Sequence, residues 1–256
     1  MTFNIRYDNA GDSLNAWPYR KDKVASQILH HDVRLLGVQE ALHNQLVELQ
    51  ERLPKFKSLG VGREGGEKGE YSAIFYDSTR LQALASQTFW LSATPDVVAS
   101  KGWDAALPRI VTWAKMKDRE TGKMFFAFNT HFDHMGQKAR QESAKLLLQK
   151  VAAIAGETPA IVTGDFNATP ADEPIKVITN KSNPLHLTDS KMLSATPHYG
   201  PTGTFNGFGA KERDDQPIDY IFLKGAWKVK KHATLSQSWD GRFASDHFAV
   251  SATLQY

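Results

Sequence analysis

Apolar residues recur along this chain with two periods, and the shorter one dominates. Runs rich in Val, Ile, Phe and Tyr predict strands over residues 2–7, 35–39, 71–76, 110–117, 125–129, 160–162, 218–223, 227–232 and 248–254. Helical spacing predicts helices over 23–31 and over 43–53, where Pro54 stops the second. The longest helix is predicted over 137–155. Ala144, Leu147, Leu148, Val151 and Ile154 fall on one of its faces, and Gly156 follows its last turn. No repeat, low-complexity tract or Pro/Gly/Ser linker divides the pattern, so it reads as one domain over 1–256. Two packed sheets with helices outside is the layering such a pattern supports.

Composition alters this picture little but excludes a good deal. With 41% hydrophobic and 23% charged residues in 256, the chain has the balance of a soluble globular protein that can bury a large core. It has no cysteine, which removes thiolate zinc sites, iron–sulfur clusters and a cysteine nucleophile. The redox compartment stays open. The formal charge of +3 suits a polyanionic substrate, although a surface of mixed charge accounts for it as well. No apolar run reaches the length of a membrane span. Nothing points to a protein partner, and a monomer is expected. The chain shows no signal-peptide pattern. Met1 stands directly against a strand-like apolar run, as in mature exported proteins and trimmed chains. The natural chain is therefore expected to start earlier, with any targeting segment upstream.

Polar residues gather where the predicted strands end, and loops held there by a rigid scaffold commonly carry function. The strand over 160–162 runs into Gly164-Asp165-Phe166-Asn167, which sets a carboxylate and a carboxamide two residues apart on one side. Gly164 is expected to permit a tight bend, and alone the tetrapeptide reads as an Asx-turn. Glu40 ends a buried strand, where a carboxylate is costly unless it is paired or binds a metal. Asn4 lies within the first strand, an unusual place for an amide as core filling. His131, Asp133 and His134 follow another strand and would suggest zinc, but no HExxH or third spaced His accompanies them. Asp219 opens a strand, and Asp246-His247 precedes one; a carboxylate beside an imidazole can fix its tautomer or raise its basicity. Each motif alone has a bland reading. Six such strand termini together have a coherent chemistry: oxygen donors that suit Mg²⁺, with groups to activate water and stabilise a leaving oxygen on phosphorus.

In this order the motifs resemble the endonuclease/exonuclease/phosphatase superfamily, the group of deoxyribonuclease I, the abasic-site endonucleases, the bacterial sphingomyelinases, the inositol-polyphosphate 5-phosphatases and the deadenylases. The motifs are Thr-Phe-Asn at Asn4, Gln-Glu at Glu40, Asn-Thr-His at His131, Gly-Asp-Phe-Asn at Asp165 and Asn167, Ile-Asp-Tyr at Asp219, and Ser-Asp-His at Asp246 and His247. The resemblance implies a four-layer α/β sandwich, two packed mixed β-sheets flanked by helices, with the site at one edge. It implies a Mg²⁺-dependent hydrolase of phosphoric esters, with Mn²⁺ as the alternative ion. Glu40 and Asn4 would hold the metal, and Asp246 would reach it. His247, oriented by Asp219, would sit at the scissile phosphate. Asp165 would orient or deprotonate the attacking water, and Asn167 would hold a phosphate oxygen. His131 would contact the phosphate and assist the leaving group, with Glu70 orienting it. Arg109 looks like the phosphate-binding arginine of deoxyribonuclease-like members, and His134 and Asn206 are placed with it around the phosphate. One position departs: abasic-site endonucleases carry an Asp two residues after the first-strand Asn, and here it is Arg6.

Several other features have mainly structural readings. Gly60-Val61-Gly62-Arg63-Glu64-Gly65 formally matches G-x-G-x-x-G but opens no helix, so it reads as a mobile connection between strands. Arg20, Lys21 and Lys23 read as a solvated helix start. Trp113 reads as core, whereas Trp103, Trp239 and Phe205 are better placed for substrate contact. No G-x-S-x-G elbow supports a serine hydrolase. The compact length and the lack of a basic track favour a small-molecule or lipid-headgroup phosphate as substrate. A nuclease, exonucleolytic or deoxyribonuclease-like, is the alternative. A non-catalytic binding module is a third reading, which the full set of matched residues opposes.

Overall fold

Side chains alternate between two apolar layers on nearly every central strand, as the pleat requires. The computed structural model describes residues 1–209 and 216–255. In chain order the strands are β1 (Thr2–Asn4), β2 (Leu35–Ala41), β3 (Phe56–Leu59), β4 (Tyr71–Asp77), β5 (Leu81–Trp90), β6 (Ile110–Asp118), β7 (Met124–His131), β8 (Ala160–Asp165), β9 (Thr188–Asp189), β10 (Asp219–Lys224), β11 (Lys228–Leu235), β12 (Ser238–Trp239), β13 (Arg242–Phe243) and β14 (Ala249–Gln255). The helices are α1 (Lys21–His30), α2 (His43–Arg52), α3 (Gln137–Ala155) and α4 (Glu173–Thr179). One sheet has the order β11-β14-β1-β2-β4-β3 and the other β5-β6-β7-β8-β10-β9, with β12 and β13 forming a separate ribbon. Both sheets are mixed: β1 runs parallel to β2 and β7 to β8, while their neighbours pair antiparallel.

Three apolar clusters define the layers. Phe3, Val38, Ala73 and Phe75 face Val24, Ile28, Leu46 and Leu49 of α1 and α2. Phe126, Phe128, Val162 and Phe222 face Leu147, Leu148, Val151 and Ile175 of α3 and α4. The alternate positions of the same strands, among them Ile74, Ala127, Ile161 and Ile221, meet between the sheets. The result is the four-layer α/β sandwich.

At one edge the filling between the sheets turns polar. Gln39 Nε2 donates to Thr2 Oγ1 at 2.9 Å and to Asn129 Oδ1 at 2.6 Å. Asn129 Nδ2 donates to the carbonyls of Val38 and Ala73, and Thr163 Oγ1 donates to Asn129 Oδ1. Gly37 makes room for this clasp: a Cβ there would stand 2.1 Å from Thr163 Oγ1 and 2.4 Å from Asn129 Oδ1.

The prediction differs from the structure in instructive places. The first strand ends at Asn4 rather than at residue 7, because Arg6 takes φ +57°, outside the strand region. β5 was not predicted; it is a sheet edge whose middle is largely exposed and carries little apolar pattern. α4 was also missed, and at seven residues it spans too few turns to show a period. α3 has the predicted bounds.

Candidate active site

The topology brings the polar strand ends to a single edge. Asn4, Glu40, His131 and Asp165 lie at or beside the C-terminal ends of the parallel pairs β1–β2 and β7–β8, with His131 in register with Asp165. Asp219 opens β10, which runs antiparallel to β8 and sets it opposite Asp165. His247 precedes β14, antiparallel to β1. Glu70 and Arg109 precede β4 and β6, antiparallel to β2 and β7, and so reach the same edge.

Asp165 is the centre of the cluster and is 1% exposed. Its Oδ1 accepts from the Asn167 backbone N–H at 2.9 Å, so the expected Asx-turn is present. Its Oδ2 faces inward, accepting from Asn4 Nδ2 at 2.9 Å and lying 3.5 Å from His131 Nε2 and 3.8 Å from His247 Nε2. The turn and the site are thus made by the two oxygens of one carboxylate. Gly164 serves close approach rather than a bend: it lies inside β8, and a Cβ would stand 2.6 Å from the Thr130 carbonyl oxygen. Burial, then the nearby Asp219, push the Asp165 carboxyl up; hydrogen bonds from Asn4 and Asn167 oppose them.

His247 pairs through Nδ1 with Asp219 Oδ2 at 3.0 Å. Burial alone would push its imidazole down, but Asp219, Asp165 and Asp246 outweigh burial and push it up to about 10. His131 moves the opposite way, held well below its ordinary value by burial and then by Arg109, His247 and Arg63. It is therefore neutral, and its Nε2 accepts from Asn167 Nδ2 at 3.0 Å. The Nε2 atoms of these two histidines, shifted in opposite directions, approach the same oxygen of Asp165.

Glu40 owes its direction to a β-bulge between Gln39 and Ala41 and to φ +63°. Gln39 points between the sheets and Ala41 packs on the helix side, which leaves Glu40 as the extra residue turned to the edge. Asn167 at φ +47° and Arg6 at φ +57° are also in the left-handed region, a conformation that concentrates at functional sites. Asn4 Nδ2 bridges Glu40 Oε1 at 3.0 Å and Asp165. The ligand atoms of Glu40, His131 and Asp165 lie within 4.8 Å of one another, as do those of Asp165, Asp219 and His247. Carboxylate oxygens beside an amide suit a hard divalent cation, and such a charge would relieve the buried Asp165. Asp219 Oδ1 is also buried without a partner. Asp246, expected to reach the metal, belongs to neither group; its Oδ1 accepts from Ser245 Oγ and its Oδ2 lies 3.8 Å from Arg6 Nε. Arg6 also pairs with Asp12 at 2.9 Å and stands 4.0 Å from Glu40.

The expected phosphate-binding residues divide. Arg109 and His134 touch each other, Nη2 to Nδ1, at 2.9 Å. Arg109 Nε donates to Asp133, which also accepts from the backbone of Ala106, Leu107, Met135 and Gly136. Burial opposes this charge, but the hydrogen bonds and Arg109 hold the carboxyl at about 2. Asp133 is thus the anchor of the Arg109 loop rather than a zinc ligand. Asn206 is 3% exposed with both ends of its amide committed to backbone: it donates to the Ser245 carbonyl and accepts from Phe208 N–H. It braces the Ser245–His247 segment rather than facing a phosphate. Glu70 accepts from Arg63 Nη1 at 2.7 Å.

Two sequence readings are corrected. Arg20 is 1% exposed, not solvated, and donates to the carbonyls of Ile5, Arg6, Asn15 and Ala244, tying the loop after β1 to the segment before His247. The glycine-rich connection is a closed hairpin in which Arg63 N–H donates to Glu70 O and Lys68 N–H to Gly65 O. It delivers Arg63 to the site edge, a residue that no motif indicated. Phe205 touches the His247 ring edge-on at 5.1 Å, with 39% of its surface exposed; Trp103 is 36% exposed.

The fold has close counterparts among solved structures. An endonuclease/exonuclease/phosphatase from Bacteroides vulgatus is 44% identical, with 99% of this chain and 97% of that one covered and a TM-score of 0.94. A mannosyl-6-phosphatase of Bacteroides thetaiotaomicron is 37% identical, with 100% and 98% covered and a TM-score of 0.93. Protein angel of Drosophila melanogaster is 24% identical over 260 residues, 93% of this chain and 72% of that one. The sequence profile of the Endonuclease/Exonuclease/phosphatase family matches residues 1–247, and the chain belongs to that family.

Proposed function

We propose that this chain hydrolyses a phosphomonoester carried by a sugar, with one divalent cation, Mg²⁺ in the first instance. The observation that carries the reading is the 37% identity, over essentially the full length of both chains, with a mannosyl-6-phosphatase. The converged donor set on this chain supports it. Glu40, with Asn4 and Asp165 beside it, would hold the cation. When bound, the ion neutralises phosphate charge and stabilises the oxyanions of the displacement.

The chain's own residues supply the remaining parts. Water adds to phosphorus, and Asp165, whose Oδ2 faces the centre of the cluster, takes its proton. His247, charged and fixed by Asp219, stabilises the negative charge spread over the phosphoryl oxygens. Arg109 and His134 bind the phosphate from the side of His131. As the water oxygen bonds to phosphorus, the bond to the sugar oxygen breaks; that oxygen departs past His131 and Asn167 and takes a proton from solvent, and Asp165 returns its own proton to solvent.

The test is a Mg²⁺ panel of hexose 6-phosphates, phosphodiesters, single-stranded RNA, duplex DNA and sphingomyelin, scored by phosphate or product release. Hexose 6-phosphates should rank first. A panel led by RNA or DNA would move the reading to a nuclease.

A further inference from the structure

Beside His131 the site edge opens into a shallow cleft of about 10 Å³, lined by Arg63, Glu70, Tyr71, Ser72, Arg109 and His131. A space of about 10–15 Å³ on this scale holds one water, so the cleft takes a single hydroxyl-sized group. Its floor is unusual in offering both signs of charge. The Arg63 and Glu70 side chains are 11% and 17% exposed and pair at 2.7 Å. They sit on a braced turn: Arg63 N–H donates to Glu70 O, Trp90 Nε1 to Arg63 O at 2.7 Å, and Tyr71 Oη to Gly66 O at 3.2 Å.

The pair leaves capacity unused on both partners. Among the described residues the Arg63 guanidinium is hydrogen-bonded through Nη1 alone and Glu70 through Oε2 alone. A guanidinium only donates, and an ionised carboxylate only accepts. A phosphate also only accepts, so Glu70 repels it while Arg109 attracts it. A hydroxyl donates and accepts at once, and a fixed donor–acceptor pair matches it. The leftover chemistry of this cleft is therefore that of an alcohol, next to a site whose chemistry is that of a phosphate.

We propose that Arg63 and Glu70 read a sugar hydroxyl: the Arg63 guanidinium donates to its oxygen and Glu70 accepts the hydrogen bond from its O–H, while the phosphate lies toward Arg109 and His131. Arg63 is then a specificity residue for the glycosyl group. This rests on the sugar-phosphate reading above. A site built to hydrogen-bond a hydroxyl penalises the analogue that lacks it, because its own buried groups are left unpaired.

The experiment is a cycle between the enzyme and its substrate. Wild type and Arg63→Gln are assayed on a hexose 6-phosphate, on its monodeoxy analogues and on phenyl phosphate. Wild type should lose about 10–100-fold in kcat/KM against one deoxy analogue, mainly through KM, the range of one charge-assisted hydrogen bond. Arg63→Gln should lose a similar factor on the parent sugar, a smaller one on phenyl phosphate, and should no longer distinguish that analogue. Equal losses on all substrates would assign Arg63 to the phosphate or to the fold and overturn the proposal. So would full discrimination retained in the variant. If Arg63→Gln does not fold, Arg63→Lys carries the same test, since it keeps a charge for Glu70 but has no guanidinium. Wild type inactive on every hexose phosphate but active on another ester would sink the sugar-phosphate reading and this assignment with it. Wild-type activity on hexose phosphates with unaltered discrimination in the variant would sink the assignment alone.

Discussion

Asp219→Asn removes one negative charge at nearly constant volume, from a residue that is 2% exposed. Its Oδ2 is the partner of His247 Nδ1 at 3.0 Å, and Asp219 is the main opposing influence that lifts the imidazole against its burial, to about 10. A hydrogen bond to a charged group is worth about 1.5–3 kcal/mol, and one pKa unit corresponds to about 1.36 kcal/mol. The amide can still accept from Nδ1–H but no longer stabilises the cation, so the His247 midpoint should fall by about one to two pH units. The direction is fixed by which form Asp219 favours: it stabilises protonated His247, so its loss lets the proton leave at lower pH. His247 stays protonated near neutral pH after such a fall, so the loss of its fixed orientation is what should lower kcat, by about 10²–10⁴. Side-chain ¹⁵N–¹H spectra of metal-free protein, recorded across a pH series, follow His247 directly, and phosphate release under saturating substrate gives kcat. A His247 midpoint that does not move, or a kcat indistinguishable from wild type in a folded variant, would refute the dyad.

Exhaustive EDTA treatment should abolish phosphate release and added Mg²⁺ restore it, with Glu40→Gln raising the Mg²⁺ concentration needed; activity that survives chelation ends the metal assignment. Gly37→Ala forces a Cβ into Thr163 and Asn129 and should cost about 1–3 kcal/mol, read from urea unfolding; an unchanged midpoint would mean that the sheets close without the clasp. His232 is buried with its Nδ1 2.9 Å from that of His198, and burial, then His198, push it down to about 3. Its unfolded form gains a proton below about pH 6.5 while the native form does not. Wild-type stability should therefore fall as pH drops through that window, by up to about 1.4 kcal/mol per unit. His232→Phe should flatten this slope, and parallel stability–pH curves for the two proteins would contradict it.

Much of the architecture is legible because the central strands are buried on both faces and α3 is long and amphipathic. Phe126 and Phe128 serve one layer while Phe125 and Ala127 serve the other, so the strand shows as a continuous apolar run. Asn4, Glu40, His131, Asp165, Asp219 and His247 are each readable as polar residues at strand ends, and the fold brings them to one edge. What sequence reasoning misses are pairings made across turns or between distant strands. Arg20 looks like any charge at a helix start, yet four carbonyls from three separate segments hold it inside. Arg63 meets Glu70 only because a hairpin closes between them. Gln39 and Asn129 stand in the Gln-Glu and Asn-Thr-His motifs with no role of their own, and their clasp forms only once two sheets dock. The bulge that turns Glu40 outward leaves no periodic trace in a seven-residue strand.

The order of the strands has a consequence for when this protein becomes chemically competent. β14, the last strand, lies between β11 and β1, and His247 immediately precedes it. Asn4 is synthesised well before His247, yet the two meet only after β14 has slotted beside β1. A growing chain therefore passes through synthesis without a complete pair of Asn4 and His247, and a misdocked second sheet leaves Asp165 and Asp219 apart from them. On the proposed assignment of these residues, hydrolysis awaits the docking of the last strand.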